Sequence, residues 1–262
     1  MLRLVRVFPW LVALLALQAA AQVPRVVDLP TRPNVTQRYL WIAPEAFDAS
    51  VILMVGGNGR LSLSDQGAMA AGNGNFLARS RALFLAQGLA VALVDAPSDR
   101  QSAPYLSGFR QTPEHATDLR AVIADVRART GKPVVMVGTS RGTQSAAAVA
   151  VASADAGGLD ALVLTSSILT DPHSRAVPQM ALETLRLPVL VVHHERDGCR
   201  LCLFSDLASL TAKIKAPHQV LIYKDGSSAG DPCDAMAYHG YNGIEAQVVA
   251  DIATWIKANI PH

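Results

Sequence analysis

The sequence predicts an α/β protein built on a mostly parallel β-sheet with helices on both faces. Three observations carry that expectation. Apolar runs rich in Val, Ile and Leu alternate with longer amphipathic stretches, which is the order of βαβ units. Several runs are apolar at nearly every position, as strands are when helices cover both faces of their sheet. One run, over 134–137, passes into an Ala-rich stretch through Gly138-Thr139-Ser140-Arg141-Gly142, a strand-to-helix switch with a serine between two glycines.

The first residues stand apart from the fold. Arg3 and Arg6 precede an apolar stretch over 8–17, and Ala19-Ala20-Ala21 supplies small residues suited to cleavage. Residues 1–21 therefore read as an export signal, with cleavage before Gln22 and a periplasmic or secreted product. The apolar run is short of the roughly 20 residues that span a bilayer, so no membrane association is expected after the signal is removed. Its two arginines take the chain's formal charge from +2 to zero, and no nucleic-acid-binding surface is implied. Residues 22–262 are expected to form a single domain.

Strands are expected over 39–42, 51–55, 90–94, 133–137, 159–165, 189–193 and 219–223, and helices over 75–86, 114–129, 142–154, 205–214 and 244–259. Pro113 suits the start of the second helix and Gly131 its stop. Cys199, Cys202 and Cys233 allow one disulfide and one remaining thiol in an oxidising compartment, with the pairing open at this level.

In such sheets ligands bind beyond the carboxyl ends of the strands, so the loops leaving them hold the candidates. At Ser140 a strained turn would push the hydroxyl outward as a nucleophile. After the strand over 51–55, Gly56-Gly57-Asn58-Gly59 lets the backbone approach a ligand. The amide of Asn58 or Gly57, with that of Arg141, could stabilise a developing oxyanion. The loop lacks the final glycine of a dinucleotide fingerprint and no phosphate loop occurs, so no cofactor is expected.

After 189–193 comes His194-Glu195-Arg196-Asp197-Gly198, where Asp197 is the candidate to orient an imidazole and Glu195 and Asp171 are its rivals. His239, in the late loop before the final helix, is the candidate general base. His115, His173 and His218 read as ordinary polar positions. His193 and His194 are adjacent in a strand and point to opposite faces, and no zinc spacing such as H-E-x-x-H occurs, so no metal is expected.

With these motifs in place, the chain resembles the α/β-hydrolase family over nearly all of residues 22–262. The nucleophile, acid and histidine of that family occur in the order Ser140, Asp197, His239, at intervals of 57 and 42 residues that leave no room for a large lid. The resemblance implies an α/β-hydrolase fold, a Ser-Asp-His triad, and cleavage of a small-molecule carboxylic ester through an acyl-enzyme. It looks most like an exported esterase or a member like the dienelactone hydrolases, although that group commonly uses cysteine where this chain has Ser140. A serine peptidase, an acyltransferase or a noncatalytic secreted binding protein are the alternatives on the same scaffold.

The same placement implies a bridge between the acid and histidine loops, Cys199 to Cys233 before Cys202 to Cys233. Ile168, Leu169, Met180 and Leu185 either pack or wall a pocket. Arg60, Arg141, Tyr105 and Tyr238 are candidates to contact a polar or carboxylate-bearing substrate.

Overall fold

The computed structural model describes residues 23–154 and 158–261. The export signal expected over 1–21 lies outside the described residues.

The described residues form one eight-stranded sheet in the order β1-β2-β4-β3-β5-β6-β7-β8. β1 (Arg25–Arg32) pairs antiparallel with β2 (Val35–Ile42), and β2 antiparallel with β4 (Leu89–Val94). From β4 the sheet is parallel through β3 (Ala49–Met54), β5 (Val134–Thr139), β6 (Ala161–Thr165), β7 (Val189–His194) and β8 (His218–Tyr223).

Every residue of β3, β4, β5, β6 and β7 is buried, which is why these segments read as unbroken apolar runs. Alternate side chains serve opposite faces. Ile52, Met54 and Met136 meet α3 (Pro113–Thr130), α4 (Arg141–Ala152) and α5 (Leu207–Thr211) on one face. Val51, Leu53 and Val135 meet α1 (Phe76–Arg79), α2 (Arg81–Ala86) and α6 (Glu245–Asn259) on the other.

The helix ends follow local chemistry. Thr112 caps α3 by accepting the His115 amide at 3.3 Å, Pro113 occupies the first turn, and Gly131 ends the helix in the left-handed region at φ 62°.

Three elements differ from expectation. β1 was not expected, because Pro30 and three charged residues, Arg25, Asp28 and Arg32, mask it; as an edge strand it tolerates both. The single helix expected over 75–86 is two, divided at Ser80, whose ψ of 1° departs from helical geometry. The helix expected over 205–214 is a 3₁₀ turn, Phe204–Asp206, followed by the short α5.

Candidate active site

Ser140 sits where β5 turns into α4, with φ 52° and ψ −129°, a conformation that side-chain-bearing residues rarely adopt. Neighbouring backbone holds it there. Its amide donates to Thr165 O at 3.0 Å, and its carbonyl accepts from the Thr143 amide at 2.9 Å and the Thr143 hydroxyl at 2.6 Å. Gly56 completes the fit, since a Cβ there would stand 2.8 Å from the Cβ of Ser140.

Asp197 follows β7 in a turn closed by its amide on His194 O at 3.0 Å. Its Oδ1 accepts the Cys199 amide at 2.9 Å, and its Oδ2 lies 2.9 Å from His239 Nδ1. Both side chains are almost wholly removed from solvent. A carboxylate at Nδ1 favours the tautomer protonated there and leaves Nε2 as an acceptor. That Nε2 is buried and bonds to no protein group among the described residues.

The histidine loop is clamped to the sheet beneath it. The Ser166 hydroxyl donates to His239 O at 2.7 Å. The fully buried Tyr241 hydroxyl donates to Val192 O at 2.9 Å and accepts the Ser166 amide at 3.0 Å. A Cys199–Cys233 disulfide, with Cα atoms 4.4 Å apart, ties the acid loop to the histidine loop. Cys202 is a free, buried thiol, and burial first, then the negative charge of Asp197, raise its pKa well above the usual thiol range. Cys199, Cys202 and His239 lie close together, but the Cys199 sulfur is committed to the disulfide and offers no thiolate for a metal.

The rival carboxylates are engaged elsewhere. Glu195 pairs with Lys224 at 2.8 Å, an ion pair with both partners largely exposed. Asp171 accepts from Ser174 Oγ at 2.6 Å, the His173 amide at 3.0 Å, Gln144 Nε2 at 3.0 Å and Arg141 Nη1 at 2.9 Å. Burial pushes its pKa up, but these donors together outweigh it and hold it at about 2. His193 and His194 are both buried and bond to carbonyls, Cys202 O at 2.8 Å and Asp225 O at 2.7 Å.

Ser140 and His239 line one cavity of about 310 Å³ together with Gly56, Gly57 and Asn58 of the glycine loop. The loop is a tight turn, with Gly57 at φ 56° and the Gly59 amide returning to Gly56 O at 3.1 Å. Among the described residues, the backbone amides of Gly57, Asn58 and Arg141 donate to no other group. These amides are therefore available to a ligand oxygen.

The loop rests on Arg110, a residue that sequence reasoning missed. Its Nη2 lies 3.1 Å from Val55 O, 3.3 Å from Gly56 O and 3.1 Å from Gly57 O, and its Nη1 donates to Ser145 Oγ at 2.9 Å. His115 Nε2 meets the same hydroxyl at 3.0 Å. His115 is not an ordinary polar position: it is buried, and burial, followed by the charges of Arg110 and Arg32, lowers its pKa to about 3. Its place on the buried stripe of α3 with Leu119, Val122 and Val126 was a signal available in the spacing.

Ile168, Leu169, Met180 and Leu185 are core residues and do not line the Ser140 cavity. Arg60 does line the Ser140 cavity, donating to Ser62 Oγ at 2.6 Å and Tyr105 Oη at 3.1 Å. Tyr238 is sandwiched instead, stacked on His194 at 4.6 Å with the Arg196 guanidinium 4.6 Å from its ring.

No family model matches the sequence, and no curated protein matches it. Solved structures do. A dienelactone hydrolase from Anabaena variabilis superposes with a TM-score of 0.64 at 13% identity, covering 92% of this chain and 100% of that one. An esterase from Pyrococcus furiosus gives 0.64 at 14% identity, covering 91% and 93%. The esterase domain of a Rhodothermus marinus protein gives 0.59 at 14% identity, covering 91% and 100%. The fold is that of the α/β-hydrolases.

Proposed function

We propose that the protein is a serine hydrolase that cleaves carboxylic esters, with Ser140 as nucleophile, His239 as general base and Asp197 as its orienting carboxylate. The observation that carries this reading is the 2.9 Å contact of His239 Nδ1 with Asp197 Oδ2, at a histidine that shares a cavity with the strained Ser140.

In the first step the Ser140 hydroxyl loses its proton to His239 Nε2 as Oγ bonds to the ester carbonyl carbon. The carbonyl oxygen becomes an oxyanion facing the amides of Gly57 or Asn58 and of Arg141. The carbon–oxygen bond to the alcohol then breaks, and His239 returns the proton to that leaving oxygen. Water repeats the sequence on the acyl-enzyme, so one ester and one water yield one acid and one alcohol. Asp197 stabilises the imidazolium in each half-reaction without taking the proton.

We further propose that the protein works outside the cytoplasm after loss of residues 1–21. The export-like leader and the interloop disulfide support that location.

Labelling with a fluorophosphonate, followed by peptide mass spectrometry, tests the assignment. Stoichiometric modification at Ser140, and its loss in Ser140→Ala with the fold retained, is the expected result. Ester turnover by Ser140→Ala equal to that of the parent protein would refute it. Parallel assays with an amide and with an added alcohol acceptor separate ester hydrolysis from peptidase and transferase activity.

A further inference from the structure

A second cavity, of about 400 Å³, adjoins the one that holds Ser140 and His239 and shares Gly57 and Asn58 with it. Arg110, Arg141, Arg175 and His173 line it, and no carboxylate does. The Ser140 cavity, in contrast, balances Arg60 with Asp234.

The charges around this second cavity do not cancel. Asp171 lies behind its wall and pairs with Arg141 at 2.9 Å, which accounts for one of the three arginines. Arg175 is exposed and enters no ion pair among the described residues. Arg110 is only 5% exposed, and its hydrogen bonds go to three carbonyls and a hydroxyl, all neutral. Burial, then the neighbouring charge of Arg141, lowers the Arg110 pKa to about 9, so it remains a cation at neutral pH. A buried cation without a counter-ion is costly, and an anion entering the cavity would relieve that cost.

The chemistry of the proposed reaction says which part of a substrate lies here. His239 must reach the leaving oxygen to protonate it, so the alcohol belongs on the His239 side. His239 does not line the arginine cavity, which begins at the oxyanion loop and at Arg141, the residue after the nucleophile. The acyl chain therefore extends into it, with Leu106 available to methylene groups.

We propose that the arginine cavity is an acyl-side subsite for a carboxylate, so that the preferred substrate is a half-ester of a dicarboxylic acid. The proposal rests on the serine-hydrolase reading and adds the substrate class to it.

The test compares 4-nitrophenyl half-esters of glutarate, adipate and suberate with counterparts whose free carboxylate is capped as a methyl ester. Each rate is taken above that of Ser140→Ala, and the fluorophosphonate label is measured on the same protein. At the best chain length the anionic ester should have kcat/KM higher by on the order of tenfold, mostly through KM, and the advantage should shrink as salt is added. Arg175→Gln should reduce that advantage by about threefold or more, lowering kcat/KM for the anionic ester by more than for the capped one.

If Ser140 is labelled but the capped esters are cleaved as well as or better than the anionic ones, or neither is cleaved, the subsite proposal is wrong and the activated serine stands. If Ser140 is not labelled and neither ester is cleaved, the serine-hydrolase reading itself fails and the subsite falls with it.

Discussion

Gly142 packs directly against Met54: a Cβ on the glycine would stand 2.0 Å from the Met54 carbonyl oxygen. That carbonyl belongs to β3, which leads into the glycine loop, so this single contact sets how far α4 and its first residues stand from the oxyanion candidates. Gly142→Ala must push α4 off the sheet. We expect a loss of about 3 kcal/mol in urea denaturation, at the upper end of overpacking costs. Gly57→Ala is the control, because nothing lies within 4 Å of a Cβ there. It should cost only about 1–2 kcal/mol for its left-handed φ, and a midpoint loss equal to that of Gly142→Ala would contradict the argument.

The Cys199–Cys233 bridge joins the two loops that bring Asp197 to His239, across a sequence separation of 34. Replacing both cysteines with serine should lower stability by about 3–4 kcal/mol through the entropy regained by the unfolded chain. It should also reduce kcat, because both loops keep their other contacts but lose the covalent tie. Thermal melts and steady-state rates on the double variant, and on the parent protein after reduction, check both effects. An unchanged melting temperature would refute the stabilisation, and an unchanged kcat would show that the bridge does not order the two loops.

How legible these features were depends on what each residue packs against. β4 and β5 could be read because all their residues are buried, so composition alone marks them. β1 could not, because an edge strand owes its place to pairing with β2 and carries Pro30 and charges that a central strand would exclude. The strained strand-to-helix turn at Ser140 is a local motif, legible from the glycines on either side of it. The Asp197–His239 contact joins residues 42 apart and could be expected only through chain order and resemblance. Arg110 was beyond reach: it lies in an irregular segment, and its role comes from carbonyls more than 50 positions away.

Asp197 and Glu195 are two residues apart, yet substitution should separate them sharply. If Asp197 orients His239 as proposed, Asp197→Asn keeps the shape but removes the charge that would stabilise the imidazolium, and it permits the wrong tautomer at His239. A fall in kcat of about 10⁴-fold is expected, with circular dichroism unchanged. Glu195→Gln removes a surface ion pair with Lys224 and should leave kcat unaltered and stability within about 1 kcal/mol. Comparable losses in the two variants would show that Asp197 is not the orienting carboxylate.

Acid should destabilise this protein from an unusually high pH for a reason that lies behind the arginine cavity. His115 has a folded-state pKa of about 3 against 6.5 when unfolded, lowered first by burial and then by Arg110 and Arg32. His193 is also lowered, chiefly by burial. Between those values the unfolded chain binds a proton that the folded protein does not, so stability is intact above pH 6.5 and declines as pH falls toward 3. The limiting slope is about 1.4 kcal/mol per pH unit for each such histidine. Asp171 adds a lower window, its contribution being lost between about 3.8 and 2. Urea midpoints at pH 7.5, 6, 5 and 4 should therefore fall from pH 6 downward, before Asp171 begins to protonate. His115→Asn, which retains a hydrogen-bonding side chain but no titrating ring, should flatten that slope by roughly one proton's worth. An unaltered slope in the variant would place the acid-sensitive group elsewhere.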